Sequence, residues 1–179
     1  MRTGADEARA PKYAHIERER RWLVDCMVRP ALDGLPFVLI DDRYLLGTRM
    51  RLRRMTESGS GAVSLKLTKK YEANDPLARP IVTSYLTEDE FSLLATLPAH
   101  PLVKRRFQLA SGGQSFSGDQ FAGQLSGLEL AEIEWSDDAG LRALHAPDWT
   151  VREVSHDHRY QGAALAQFGI PEEHPWPAS

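Results

Sequence analysis

The stretch IERERRWLV, residues 16–24, sets Glu17, Glu19 and Arg21 at alternate positions. In a β-strand successive side chains point to opposite faces, so these three would line one face about 7 Å apart. Carboxylates in a row suit a hard divalent cation, which takes oxygen ligands, and a guanidinium beside them suits an anion. The same period of two returns further along. Arg49, Arg51 and Arg53 share a face opposite Met50 and Leu52, and Lys66, Thr68 and Lys70 oppose Leu65 and Leu67. Lys104 and Arg106 face away from Val103, Phe107 and Leu109. Glu132 and Glu134 oppose Ala131, Ile133 and Trp135, while Asp119 shares a face with Ser117 and Phe121.

An ordinary sheet explains one such strand, with a solvated outer face and an apolar inner one. It explains five of them poorly. Solvated faces intersperse both signs, whereas each strand here carries nearly one sign, and like charges at neighbouring same-face positions repel. A closed barrel with the charged faces inward and the apolar faces outward under helices accounts for the pattern. A buried inventory of that kind needs water or a polyanion among the cations. Arg offers a planar fork for phosphate oxygens and Lys a point charge, so a short chain of phosphates with a bound metal is the simplest occupant.

The elements that would position these residues are mostly strands. IERERRWLV is followed by a turn-rich RPALDGLP, and FVLIDDRYLLGTRMRLRRM reads as two strands or one long bent one. SGSG at 58–61 lacks the Lys and following helix of a P-loop and reads as a hairpin turn before VSLKLTKKY. IVTSYL, PLVKRRFQL, QSFSGDQF and LSGLELAEIEW are further strands, and TEDEFSLLATLP is a short Thr-capped helix stopped by Pro. Two helices are expected near 138–145 and 159–168. About eight short strands with turn signals between them indicate a mainly β fold, a closed antiparallel barrel or a sandwich.

Composition bounds the rest. A chain of 179 residues with 42% hydrophobic residues can bury the core of one domain. The expected organisation is a flexible leader over 1–12, one domain over 13–170 and a tail over 171–179. A net charge of −3 gives no sign of nucleic-acid binding. Nothing is apolar enough to span a membrane, and the N-terminus lacks the apolar core of a secretory signal, so a cytoplasmic location is expected. One cysteine, Cys26, rules out an internal disulfide framework and is expected as a small buried apolar residue.

Several segments, in order, resemble one family. Glu17-x-Glu19-x-Arg21 is similar to the ExExK signature of the CYTH superfamily, the triphosphate tunnel metalloenzymes. The Arg51-x-Arg53 strand, LKLTKKY with Lys66 and Lys70, KRRF at 104–107, FSGDQF, GLELAEIE and the closing EVSHDHRYQGAALA agree with its other motifs. The resemblance runs over roughly residues 13–168. It implies an eight-stranded antiparallel β-barrel enclosing a tunnel, with a charged interior and a few covering helices. It implies Mg²⁺ or Mn²⁺ on Glu17, Glu19, Glu132 and Glu134, joined by Asp119, with the four glutamates as the catalytic set. Phosphates would be held by Arg21, Arg51, Arg53, Lys66, Lys70, Lys104 and Arg106, with Arg49 added from parity and Arg159 from the closing motif. The implied activity is metal-dependent hydrolysis of a triphosphate, foremost inorganic tripolyphosphate, by activated water. The competing readings are a non-catalytic polyphosphate- or nucleotide-binding module, a nucleoside or thiamine triphosphatase, and a class IV adenylate cyclase. A small polyanionic substrate and a monomer or homodimer are expected. Two departures stand out: Arg21 replaces Lys, and Gly162 replaces the Asn usual in the closing motif.

Overall fold

The computed structural model describes residues 11–172, so the expected leader and tail lie almost wholly outside the described residues. The strands are β1 His15–Val24, β2 Phe37–Leu45, β3 Met50–Glu57, β4 Val63–Lys70, β5 Ala78–Tyr85, β6 Ala99–Ser111, β7 Gln114–Phe121, β8 Glu129–Glu134 and β9 Thr150–Glu153. Three short helices accompany them, α1 Glu88–Leu94, α2 Asp138–Ala143 and α3 Gly162–Phe168. Lateral order runs β5-β4-β3-β2-β6-β7-β8-β1, and β1 then pairs with β5. Every pairing is antiparallel, so the first eight strands form a closed barrel with no free edge between them.

Local chemistry fixes the hairpins. Ser111 pairs with Gln114 across Gly112 and Gly113, whose φ angles of 56° and 78° are what a two-residue type I′ turn demands. SGSG forms the β3–β4 turn, where the Glu57 N–H donates to the Ala62 carbonyl at 3.0 Å. In α1 the Thr87 hydroxyl accepts from the Glu90 N–H and the Thr87 N–H donates to the Glu90 carboxylate, a capping box that starts the helix.

β9 is a correction to the expected closing region, which contains a strand between its two helices. Four residues, TVRE, are too few to carry a periodic signal. β9 shares an edge of β1 with β5. β5 takes residues 15–18, and β9 pairs with Trp22 through Val24. Another correction concerns Cys26, which is exposed in the turn after β1.

Apolar packing occurs on both sides of the wall. Outside, Leu52 and Leu65 pack under Phe91 of α1. Trp22, Phe107, Phe116, Ala131 and Ile133 form a second outer cluster with Trp149, and Leu144 packs against it. A third cluster differs from the expectation of an interior lined by charge alone. Leu23, Leu102, Phe121 and Leu130 share inward faces with the charged residues, and Tyr160, Leu165 and Ala166 of the closing segment pack onto them. α3 therefore closes one end of the barrel with an apolar floor. Its short side chains and the aliphatic strand positions exclude water where no ion pair is available.

Candidate active site

Above that floor lies a cavity of about 860 Å³ whose wall is assembled from alternate residues of many strands. Glu17, Glu19 and Arg21 reach it from β1, and Glu132 and Glu134 from β8. Arg51 and Arg53 line it from β3, Lys70 from β4, and Lys104 and Arg106 from β6, with Arg49 entering from the turn before β3. Three residues expected at the site do not line it. Lys66 faces inward by parity, but its Nζ lies 5.1 Å from the ring centroid of the exposed Tyr85. Asp119 is buried beneath the basic residues, gripped by Lys104 and by Nε and Nη2 of Arg106, each at 2.6 Å. Arg159 is exposed and hydrogen bonds to Asp157 at 2.8–3.3 Å.

The carboxylates divide into two sets. Glu17, Glu19 and Glu134 bring one oxygen each within 4.8 Å of one another. Glu19 and Glu134 are direct cross-strand partners, an arrangement of like charges that destabilises a ladder by itself. Burial, and then Glu17 and Glu19 beside it, push the Glu134 carboxyl above the usual carboxylate range. Glu17 behaves differently. Burial alone would raise it, but Lys70, paired to it, and Arg51 hold it low. Three convergent carboxylate oxygens with no nitrogen or sulfur fit a hard, oxygen-seeking divalent cation such as Mg²⁺ or Mn²⁺.

The second set is committed to cations. Glu132 accepts from Arg21 Nε at 2.7 Å and Arg106 Nη2 at 2.5 Å. Burial works against its charge, yet Arg21, Lys104 and Arg106 together hold its pKa well below the usual range. Glu132 and Asp119, both expected among the metal ligands, stand outside the three-carboxylate group and pair with cations of the basic wall. Lys104 is buried beside them, and burial pushes its ammonium pKa down despite Asp119.

Three residues in or behind the wall, Asp42, Arg79 and Tyr44, were not read from the sequence. Asp42, 0% exposed, receives the Arg53 fork at 2.6 and 2.7 Å and lies 3.6 Å from Arg51 Nε. Burial alone would raise its carboxyl, but Arg53 and Arg51 keep it below the ordinary aspartate range. Arg79 pairs across β1–β5 with Glu17 in register, and its Nη1 donates to Gln161 Oε1 at 3.1 Å. Its Nε is buried with no hydrogen-bond partner among the described residues. Tyr44 lines the cavity and packs against the floor, where burial pushes its phenol up to about 12. Gly162 makes room for it, since a Cβ there would stand 1.9 Å from the Tyr44 oxygen.

The cavity therefore presents a three-carboxylate cluster beside a basic wall in a partly open space, with Glu134 on its exposed side. That geometry can hold a cation against a polyanion and stabilise charge moving onto phosphate oxygens. Among the described residues, no Cys or His lines the cavity.

Parts of this chain are similar to known proteins. No family model matches the chain. It is 44% identical over 59 residues to an inorganic triphosphatase of Nitrosomonas europaea, a match covering 33% of this chain and 38% of that protein. It is 33% identical over 76 residues to an inorganic triphosphatase of Acetivibrio thermocellus, covering 42% and 47%. The matches thus span less than half the length of either relative. Two crystal structures share the fold over most of both chains. One, of the hypothetical protein NE1496, gives a TM-score of 0.56 at 28% identity over 84% of this chain and 97% of that one. The other, of the inorganic triphosphatase NE1496, gives 0.54 at 26% identity over 84% and 93%.

Proposed function

We propose that this chain hydrolyses a triphosphate, foremost inorganic tripolyphosphate, to pyrophosphate and phosphate inside the barrel. The observation that carries the reading is the convergence of Glu17, Glu19 and Glu134 within 4.8 Å of one another in a cavity walled by Arg51, Arg53, Lys70, Lys104 and Arg106. The similarity to proteins named inorganic triphosphatase supports the same substrate class.

A divalent cation, Mg²⁺ or Mn²⁺, held by Glu17, Glu19 and Glu134 would offset phosphate charge and make a water more acidic and more nucleophilic. The chain's own residues supply the rest. Arg51 and Arg79 offer forks to phosphate oxygens, while Arg53, whose fork Asp42 holds, adds its charge to that of Lys70, Lys104 and Arg106 in neutralising the leaving pyrophosphate. The apolar floor excludes bulk water, which strengthens each of these contacts. Glu132 and Asp119 keep the cations in place before substrate arrives.

Phosphate release from tripolyphosphate, ATP and thiamine triphosphate, each with Mg²⁺ or Mn²⁺, tests the reading. Tripolyphosphate should be cleaved fastest, and only with a divalent cation. Glu134→Gln should lower the rate by about 100-fold or more, the equivalent of roughly 3 kcal/mol of lost transition-state stabilisation. Full activity in that variant refutes the carboxylate assignment. Tripolyphosphate binding without release under either metal identifies a binding module, and cyclic AMP from ATP identifies a cyclase.

A further inference from the structure

Arg21 is the residue that departs from the CYTH-like signature, and its surroundings give it a different task from the other cations. Each nitrogen of its guanidinium meets a different acceptor. Nε donates to Glu132 Oε1 at 2.7 Å, Nη2 to Glu19 Oε1 at 2.9 Å and Nη1 to the main-chain carbonyl of Tyr160 at 3.0 Å. The side chain is 12% exposed. Burial alone would weaken its hold on the proton, but Glu132 and Glu19 more than reverse this, so the group stays charged. Its main chain is tied to the same segment. The Arg21 N–H donates to Ser155 Oγ at 2.8 Å, and its carbonyl accepts from the Val154 N–H at 2.8 Å.

Tyr160 is where the chain turns into the floor. Its ring is 0% exposed in the cluster with Leu165, and Gly162 begins α3 two residues later. The closing segment touches the basic wall again at Gln161, through Arg79. One guanidinium therefore joins a member of the three-carboxylate cluster, the counter-ion of Arg106 and the strut that carries the floor. A lysine could not do this, because its donors radiate from a single point, whereas the Arg fork spreads them along three directions in one plane.

We propose that Arg21 is a positioning residue, not a phosphate ligand: it orients Glu19 and Glu132 while pinning the α3 floor through the Tyr160 carbonyl. The catalytic half of this statement rests on the triphosphatase reading, and the pinning half does not.

Arg21→Lys keeps the charge and loses the fork, and Arg21→Gln, the second variant, keeps one donor group without the charge. Hydrogen exchange of the metal-free, substrate-free full chain reads the floor directly. Exchange of the amides over 162–169 should quicken by about tenfold or more in either variant, while β2 and β3 stay unchanged. Steady-state turnover of tripolyphosphate should show kcat lower by about tenfold with KM within roughly threefold, the signature of misplaced catalytic groups with intact phosphate binding. Unchanged exchange over 162–169 overturns the pinning. A KM raised by about tenfold at unchanged kcat makes Arg21 a phosphate ligand and overturns the positioning role. Should the parent chain release no phosphate, the hydrolase reading fails by itself. The exchange comparison and the calorimetric Kd for tripolyphosphate then decide the proposal by the same limits.

Discussion

Asp42 offers the sharpest test of how the basic wall is held. It is 0% exposed and takes both nitrogens of the Arg53 fork at 2.6 and 2.7 Å, with Arg51 3.6 Å away. Asp42→Asn preserves shape but leaves the buried Arg53 with an uncompensated charge. Removing one partner of such a pair costs about 3–5 kcal/mol. For a chain of this length each kcal/mol lowers Tm by about 2–4 °C, so the variant should melt roughly 6–20 °C below the parent. The pH dependence has a definite sign. The folded carboxyl lies below its unfolded value of about 3.9, so its stabilisation is complete above that value and disappears as pH falls through the folded pKa. The gap between parent and variant should therefore be equal at about pH 7 and pH 5 and shrink below about pH 4. Urea unfolding followed by tryptophan fluorescence measures it. A cost under about 1 kcal/mol at neutral pH, or a gap that widens as pH falls, refutes the pairing argument.

Two further substitutions probe the wall and the floor. Gly162→Ala places a methyl group 1.9 Å from the Tyr44 oxygen and 2.9 Å from its Cζ, so it should cost about 1–3 kcal/mol in urea unfolding. Tyr44→Leu in the same chain should recover part of that cost, and an unchanged midpoint for Gly162→Ala alone refutes the close approach. Lys70 pairs with Glu17 in the cavity, whereas Lys66 lies against Tyr85. Lys70→Ala should raise KM for tripolyphosphate by about tenfold and Lys66→Ala by less than about twofold, with equal effects counting against the placement.

Much of the barrel is written in alternation. The Arg51 and Arg53 pair, Lys104 with Arg106, and Glu132 with Glu134 follow from a period of two against a mainly apolar opposite face, and Glu17, Glu19 and Arg21 from the same period although Arg18 and Arg20 stand opposite them. Parity gives the face but not the depth, because the stagger of a closed barrel sets which residues stand level with one another. Lys66 shows the difference: it shares a face with Lys70 yet lies outside the cavity lining. Asp42 was hidden for another reason. Asp41 and Asp42 point to opposite faces, and only the β2–β3 register puts Asp42 opposite Arg53. Arg79 stands alone beside Pro80, with no second cation two positions away to mark an inward face. The floor follows no local period at all, since Leu165 belongs to a cluster drawn from β1, β6, β7 and β8.

The edge of β1 that β5 and β9 divide between them has a consequence for how the chain reaches this state. The strand carrying Glu17 and Glu19 is synthesised before every one of its hydrogen-bonding neighbours, β5, β8 and β9. Its seat exists only once the last of them is in place. Long-range pairing of this kind is slow to form, because chain closure must precede the contacts that reward it. During that interval β2–β3–β4 can assemble as a local meander, while the charged strand waits with its polar edges exposed. The alternating charges of IERERR then have a second use on the way to the fold: they keep an unpaired strand in water until its slot is built.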